Sequence, residues 1–283
     1  MRVAVTGAGG RLGRAILAAF GGSDVRPWSR PFYDLDDPEA AERAIAADRP
    51  DLIIHPAAWT DVDGCARQPE LARRRNAVAV AELARAAAAR GTRLVLVSTN
   101  EVFDGRSDAP YRPADPTGPL NAYGASKLAG ERAAAEAYAA DPASLLVVRT
   151  AWLYGPPGND FPLKVIAAAR RAIGEGLPLR LVADETGSPT HTADLAAAIA
   201  TLVREDTFGT KHVVNGGQAT RAEWGRAVLA AAGIDAAIEL VPASTWTRDS
   251  KAPAWGVLAS DVPLRDWRAA SDAYVRGLAT VPA

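Results

Sequence analysis

The sequence predicts an α/β fold in which a mostly parallel sheet carries helices on both faces. Two observations predict it: short β-branched runs alternate with long Ala-, Arg- and Glu-rich segments, and a glycine-rich turn follows the first run. Composition agrees, since 48% of the 283 residues are hydrophobic and 23% are charged, as in ordinary globular proteins. The chain is long enough for one large domain or two modest ones.

Each apolar run is predicted to be a buried strand, and each Ala-rich segment a helix. The predicted strands are 2–6, about 25–28, 51–55, 93–98 and 145–149, and the predicted helices between them are 11–20, 38–48, 69–90 and 122–140. Strands that alternate with helices are joined by right-handed crossovers, which make the sheet parallel.

After Arg149 the pattern changes to Pro/Gly-rich connections among helices near 161–174, 192–204 and 220–232. We therefore predict that residues 1–150 form one domain, to which the chain returns at about 190–215 through the strand-like run KHVVN (211–215). Residues 151–189 and 216–283 are predicted to form a smaller, mixed α/β domain that binds the substrate.

Composition also excludes several classes of function. A net charge of -1 and a pI near 6.3 give no basic surface for a nucleic-acid polymer. Cys65 is the single cysteine, and the three scattered histidines lack the spacing of metal ligands, so we expect neither a disulfide nor a metal site. No signal peptide or apolar run near 18 residues is visible, and we expect a cytoplasmic protein with no membrane partner.

The turn after the first strand, TGAGGRLG (6–13), is typical of dinucleotide binding. Gly7, Gly10 and Gly13 permit a tight turn and let backbone N–H groups approach a pyrophosphate. Arg11 and Leu12 then begin a helix, whose positive end attracts the phosphates. The strand, turn and helix together predict a Rossmann-type, doubly wound sheet with a nicotinamide cofactor.

The end of the second strand bears on the choice of cofactor. Trp28-Ser29-Arg30 offers no carboxylate for a ribose 2′-hydroxyl, whereas Arg30 suits a 2′-phosphate, so NADPH is favoured and NADH is the alternative. A solvated loop arginine is the other reading of Arg30. Asp34 and Leu35 are expected near the adenine, although Asp34 also suits a cap or turn.

The segment NAYGASKLAGE (121–131) carries Tyr123 and Lys127 four residues apart on one helix face. A phenol titrates near pH 10, so a tyrosine that exchanges protons at neutral pH needs a nearby cation, which Lys127 can supply. Such pairs are also common on solvated helices. Lysine occurs only at 127, 164, 211 and 251 in this arginine-rich chain, which favours a specific role for Lys127.

Six segments together resemble the extended short-chain dehydrogenase/reductase superfamily and, within it, the dTDP-4-dehydrorhamnose reductases. They are TGAGGRLG, HPAAWTDVD (55–63), STNEVFDG (98–105), YGASKLAGE (123–131), RTAWLYGPPGNDF (149–161) and DETGSPTHTADLA (184–196). The resemblance runs along nearly the whole chain. It implies a catalytic triad of Thr99, Tyr123 and Lys127, in which two hydroxyls hold the substrate carbonyl during hydride transfer.

The same resemblance assigns the remaining site residues. Near the cofactor it implies Ala57, Ala58, Trp59, Asn76 and Ser98, with core packing as the alternative for Trp59 and a backbone-securing role as the alternative for Asn76. Tyr123 and Lys127 are expected to contact the cofactor as well, and Lys127 can reach the hydroxyls of the nicotinamide ribose. Near the substrate it implies Asn100, Glu101, Phe103, Trp152 and Asn159, with core packing as the alternative for Trp152.

Some of the substrate-side positions depart from the family pattern. Asn100 stands where relatives have aspartate and Glu101 where they have tyrosine, while Gly256 and Ala259 replace polar residues near the C-terminus. These departures leave the identity of the sugar open.

The implied activity is NAD(P)H-dependent reduction of the 4-keto group of a nucleotide-activated 6-deoxyhexose, with dTDP-4-dehydro-L-rhamnose as the first expectation. A 4-ketoreductase for a different nucleotide sugar is one alternative. A non-catalytic NADP-binding subunit, similar to the β subunit of methionine adenosyltransferase, is another, which the intact Thr99, Tyr123 and Lys127 disfavour. A homodimer is usual among relatives, and the sequence leaves the oligomeric state open.

Overall fold

The computed structural model describes residues 1–278. The first half contains β1 (Arg2–Thr6), α1 (Arg11–Ala19), β2 (Asp24–Trp28), α2 (Ala40–Asp48), β3 (Leu52–His55), α3 (Val62–Arg67), α4 (Pro69–Arg73), α5 (Ala79–Ala88), β4 (Arg93–Thr99), α6 (Ala122–Ala137) and β5 (Leu145–Thr150). The second half contains β6 (Leu153–Tyr154), α7 (Phe161–Glu175), β7 (Leu179–Val182), β8 (Thr186–Gly187), β9 (Thr190–His191), α8 (Thr192–Arg204), β10 (Gly209–His212), β11 (Ala219–Thr220), α9 (Arg221–Ala231), β12 (Ile238–Val241), β13 (Trp255–Gly256) and α10 (Trp267–Leu278).

Six strands form the central sheet in the order β10-β5-β4-β3-β1-β2, and every neighbouring pair is parallel. Strands buried on both faces read as continuous apolar runs, which is why the sequence revealed them. One face packs on α1 and α8 through side chains such as Ile16 and Ile199, and the other packs on α2, α5 and α6. The predicted doubly wound α/β fold is confirmed.

The predicted helix over 69–90 is wrong in one respect, because it is broken into α4, a π-helical turn (Arg74–Val78) and α5. Asn76 lies in the π turn and is buried, with its amide hydrogen-bonded to the backbone of Trp59 and to Ser126. A π turn adds a residue to the helix, and such turns often accompany functional sites. Helices α3 and α10 were not predicted.

After α8 the chain returns to the central sheet, because β10 pairs in parallel with β5. Outside that sheet, α7, α9 and α10 pack with β7 and β12 around a separate apolar cluster that includes Val165, Trp224 and Trp267. The division of the chain into two domains stays a prediction.

Short strands link the C-terminal segments to the edge of the central sheet. Strands β11, β8 and β13 form a small sheet, and β6 pairs with β9. The Asn100 amide, just beyond β4, donates to the Gly256 carbonyl of β13 at 3.2 Å. These pairings bring distant parts of the chain to the carboxyl ends of the parallel strands, where α/β proteins bind their ligands.

Candidate active site

A cleft of about 910 Å³ lies at the carboxyl ends of the central strands. Eighteen of the residues predicted from the sequence line it: Gly7, Gly10, Arg11, Leu12, Gly13, Arg30, Asp34, Leu35, Ala57, Ala58, Trp59, Ser98, Thr99, Asn100, Glu101, Tyr123, Lys127 and Trp152. We call the part around Gly7, Gly10, Gly13 and Arg30 the glycine end, and the part around Asn100, Glu101, Trp152 and Arg221 the tryptophan end.

At the glycine end, the turn leaves space and backbone donors for a phosphate group. Gly7 has φ +54°, and a Cβ on Gly13 would lie 2.2 Å from the Gly7 carbonyl oxygen, so helix α1 packs this closely only with glycine at position 13. No side chain caps the N-terminus of α1, which leaves N–H groups of its first turn for an anion. The turn therefore fits a dinucleotide pyrophosphate.

The edge of the glycine end is rich in charged side chains. Arg30 is exposed, and within residues 1–278 its guanidinium pairs with no carboxylate. Asp36 is instead held by two hydrogen bonds from Arg75, at 2.8 and 2.6 Å, while Asp34 accepts from the Asp36 N–H at 3.1 Å. Asp34 is thus a turn residue, and Arg30 remains available to an anion.

The floor of the cleft contains buried polar atoms with no partner. The hydroxyls of Ser98 and Thr150 line the cleft, and neither makes a hydrogen bond. Buried hydroxyls are normally satisfied, so these two fit a bound polar ligand. Beneath them His55 is fully buried, with Nδ1 at 2.9 Å from the Thr6 hydroxyl, and burial together with the nearby Lys127 charge lowers its pKa to about 3.

Thr99 and Tyr123 are brought together where β4 ends and α6 begins. Thr99 is the last residue of β4, and its hydroxyl accepts from the Glu101 N–H at 3.2 Å. A Cβ on Gly124 would lie 2.1 Å from the Glu101 carbonyl oxygen, so glycine at this position lets the start of α6 approach β4 closely. Asn121 caps the helix by accepting from the Gly124 N–H at 2.8 Å.

Tyr123 holds its proton firmly in this structure. Burial raises the pKa of the phenol, the negative charge of Glu101 raises it further, and the Thr99 hydroxyl acts in the opposite direction. Lys127 is not among the groups that shift the pKa of Tyr123, so its predicted stabilisation of a phenolate stays a prediction. The phenol is a proton donor at neutral pH.

Lys127 lies one helical turn beyond Tyr123 and is 4% exposed. Its Nζ donates to the Val97 carbonyl at 2.8 Å, and this hydrogen bond directs the ammonium towards β4. Burial lowers the pKa of Lys127 to about 8, against the opposing effect of the Glu131 charge. Lys127 therefore changes charge just above neutral pH.

The tryptophan end has a carboxyl group next to the predicted catalytic hydroxyls. Glu101 accepts from the Asn121 amide at 2.6 Å, and Asn121 also donates to the Lys251 carbonyl at 2.9 Å. Burial raises the pKa of Glu101, although Asn121 and the arginines Arg221 and Arg248 oppose this. The carboxyl group lines the cleft and offers hydrogen-bond acceptors to a ligand.

Arg221 is the principal residue that the sequence reasoning missed. Its guanidinium carbon lies 3.5 Å above the Trp152 ring, and its Nε is 3.5 Å from Glu185. Trp152 has φ +45° and stacks on Trp224, with ring centroids 5.9 Å apart. Burial lowers the pKa of Arg221 to about 10, so it stays charged at neutral pH. Arg221 lies at the start of α9, and no motif in the neighbouring sequence indicated that it would line the cleft.

Three predicted site residues do not line the cleft. Asn76 is 1% exposed, and its amide is occupied by Trp59 and Ser126, so it positions the cleft wall. Phe103 is 1% exposed and stacks on Tyr111, with centroids 4.2 Å apart. Asn159 is exposed, with φ 91°, in the loop before α7. Packing turns Phe103 inward and the loop leaves Asn159 exposed, so neither lines the cleft, and the substrate contacts assigned to them stay predictions.

Two further findings concern residues 1–278. No group of three or more His, Cys, Asp and Glu side chains in this range is arranged to hold a metal ion. None of the helices in the same range is both long enough and apolar enough to span a bilayer.

The comparisons with known proteins agree with the geometry. Residues 1–279 match the family model described as the RmlD substrate binding domain. A dTDP-4-dehydrorhamnose reductase of Mycolicibacterium smegmatis is 39% identical, over 95% of this chain and 83% of the relative. A dTDP-4-dehydrorhamnose reductase structure from Clostridium acetobutylicum has a TM-score of 0.91 at 32% identity, over 99% of this chain and 100% of that one.

The structure of the Bacillus anthracis dTDP-4-dehydrorhamnose reductase, in complex with NADP, has a TM-score of 0.89 at 29% identity, over 96% of this chain and 98% of that one. The family match and the curated relative confirm the resemblance seen in the sequence. The chain belongs to the RmlD-like reductases of the extended short-chain dehydrogenase/reductase superfamily.

Proposed function

We propose that this protein uses NADPH to reduce the 4-keto group of dTDP-4-dehydro-L-rhamnose to give dTDP-L-rhamnose. One observation carries the proposal: the glycine turn, Thr99, Tyr123 and Lys127 meet in a single cleft. The names of the relatives support the substrate, and the NADP complex of one of them supports the cofactor. NADH is the alternative cofactor. A cytoplasmic location and a homodimer stay predictions.

The reaction assigns a step to each of three side chains. NADPH, when bound, supplies the hydride to the C4 carbonyl carbon. Thr99 and Tyr123 donate hydrogen bonds to the carbonyl oxygen, where negative charge develops as the carbon–oxygen double bond becomes single. Tyr123 then gives its proton to this alkoxide, and its buried, protonated phenol suits that task. Lys127, charged below about pH 8, stabilises the phenolate that remains.

The test follows NADPH oxidation with purified dTDP-4-dehydro-L-rhamnose and identifies the product sugar. Wild-type protein should turn the substrate over, and Tyr123→Phe should lower kcat about 10²–10⁴-fold with unchanged NADPH affinity. Equal slow NADPH oxidation by both proteins, with or without sugar, would contradict the catalytic proposal and favour a non-catalytic NADP-binding subunit.

One observation favours a second candidate, a 4-ketoreductase for a different nucleotide-activated deoxysugar. Glu101 and Asn100 replace the residues that the family pattern has beside the reacting centre, and Arg221 adds a charged group to the same cleft. These groups change the hydrogen bonds that the sugar hydroxyls meet. Activity on another nucleotide 4-keto-6-deoxyhexose, with none on the rhamnose precursor, would select this candidate.

A further inference from the structure

A buried ion pair joins α6, which carries Tyr123 and Lys127, to β5, and it has no role in the chemistry described above. Glu131 on α6 and Arg149 on β5 are each 6% exposed. Arg149 Nε donates to the two carboxylate oxygens of Glu131 at 3.1 and 3.2 Å, and its Nη2 donates at 2.7 Å. The remaining bond of the guanidinium goes to the Pro113 carbonyl at 3.2 Å.

The spacing along α6 connects this ion pair to the active site. Tyr123, Lys127 and Glu131 follow one another at intervals of four residues, so they lie on one face of the helix in successive turns. Lys127 and Glu131 are both buried. A buried ammonium and a buried carboxylate one turn apart interact far more strongly than the same pair in water.

We propose that Glu131, held in place by Arg149, keeps Lys127 charged and directed at the active site, which makes Glu131 a positioning residue for the reductase. This inference rests on the role that the proposed function gives to Lys127. Burial removes water from the Lys127 ammonium and thereby favours its neutral form. A fixed carboxylate one turn away favours the charged form and offsets that effect. Arg149 holds the Glu131 carboxylate in place through three hydrogen bonds.

The other groups around Lys127 do not replace Glu131. On β3, His55 is neutral near pH 7 because its pKa is lowered to about 3. On β4, the Val97 carbonyl accepts from Nζ at 2.8 Å but carries no net charge. On α6 itself, Tyr123 is protonated, since its pKa is raised. Glu131 is thus the nearby anion that opposes the effect of burial on Lys127.

The charge of Lys127 can be followed directly, because the chain has only four lysines. We would label the lysine Cε carbons with ¹³C, identify the Lys127 signal by its loss in Lys127→Arg, and titrate it by NMR. In wild type the signal should titrate near pH 8. In Glu131→Gln the midpoint should fall by about one pH unit, and in the exposed control Glu136→Gln on the same helix it should stay unchanged.

The same proteins give a kinetic readout. The alkaline limb of kcat/KM against pH should move down with the NMR midpoint in Glu131→Gln and stay in place in Glu136→Gln. If Lys127 in folded Glu131→Gln titrates where it does in wild type, the proposal is overturned. If the NMR midpoint moves but wild type reduces no nucleotide sugar, the proposed function fails and the coupling between Glu131 and Lys127 stands.

Glu131→Gln leaves Arg149 buried without its anion, which can prevent folding. The double variant Glu131→Gln/Arg149→Met removes both charges and avoids this unpaired cation. Its Lys127 midpoint should also fall below that of wild type, by less than in Glu131→Gln, because the anion one turn away is gone but the Arg149 cation that disfavours a charged Lys127 is gone as well. An unchanged midpoint in the double variant would contradict the proposal equally.

Discussion

The glycine end of the cleft is built from the backbone of one continuous segment, whereas the tryptophan end is built from side chains of distant segments. Gly7 and Gly10 lie in the turn between β1 and α1, and Gly13 lies in the first turn of α1. Glu101, Trp152 and Arg221 come from the ends of β4 and β5 and from the start of α9. The binding site for a cofactor that many enzymes share depends on the backbone conformation of a few adjacent residues. The substrate-specific surface depends instead on packing between distant segments of the chain.

Gly13→Ala should break the glycine end and have the largest effect. The new Cβ would lie 2.2 Å from the Gly7 carbonyl oxygen, so the turn must move away from α1. Displacing two phosphate-binding N–H groups, each worth about 1.5–3 kcal/mol, should weaken NADPH binding about 100-fold or more in a fluorescence titration. Stability should fall by about 1–3 kcal/mol.

The matched control is Gly9→Ala in the same turn, where an added Cβ meets nothing within 4 Å. Its thermal midpoint should stay close to that of wild type. Equal NADPH affinity in Gly13→Ala and wild type would contradict the prediction that NADPH binding depends on the close approach of α1 to the Gly7 backbone.

Arg221→Met tests the tryptophan end, where a side chain supplies the binding group. Loss of one charge-assisted hydrogen bond should raise KM for the nucleotide sugar about tenfold or more, with NADPH affinity unchanged. Arg226→Met, an exposed arginine of the same helix, serves as the control and should leave both constants unchanged. A change in NADPH affinity, with KM for the sugar unchanged, would contradict the assignment of Arg221 to sugar binding.

Arg30→Ala tests whether a side chain adds cofactor selectivity to the glycine end, where the other binding groups belong to the backbone. Arg30 is exposed, so its pairing with a 2′-phosphate is partly screened by solvent. We expect KM for NADPH to rise about fivefold to tenfold and KM for NADH to stay the same, so NADH is the internal control. A parallel change in both values would indicate that Arg30 does not read the 2′-phosphate.

His55 provides the smallest effect, on stability rather than on activity. Its folded pKa of about 3 lies below the unfolded value of 6.5, so the unfolded chain binds more protons between those values, and stability falls as pH drops through 6.5 towards 3. Between pH 7 and pH 6 this single group should cost about 0.7 kcal/mol. Urea unfolding of wild type and His55→Asn at pH 7 and pH 6 gives the change in the free energy of unfolding for each protein. The difference between these two changes is the contribution of His55. An identical pH dependence in the two proteins would mean that His55 is not held neutral by burial.

The parts of the molecule that could be predicted from the sequence share a local cause. Strands buried on both faces appear as apolar runs, and the central sheet was found from them with only small shifts of the helix ends. The glycine turn and the Tyr123/Lys127 pair were also visible, since backbone conformation and helical spacing depend on neighbouring residues. The break of the helix over 69–90 was not visible, because the π turn follows from where Asn76 is buried against Trp59.

The sequence by itself determined the layered parallel sheet, the phosphate turn and the pairing of Tyr123 with Lys127, because each is encoded within a few adjacent positions. Only the tertiary structure decided which side chains meet at the tryptophan end. It brought Arg221 onto Trp152 and Glu185, turned Phe103 into the core, and left Asn159 exposed. Such contacts join residues far apart in the chain, and side-chain packing of the whole fold, rather than local spacing, brings them together.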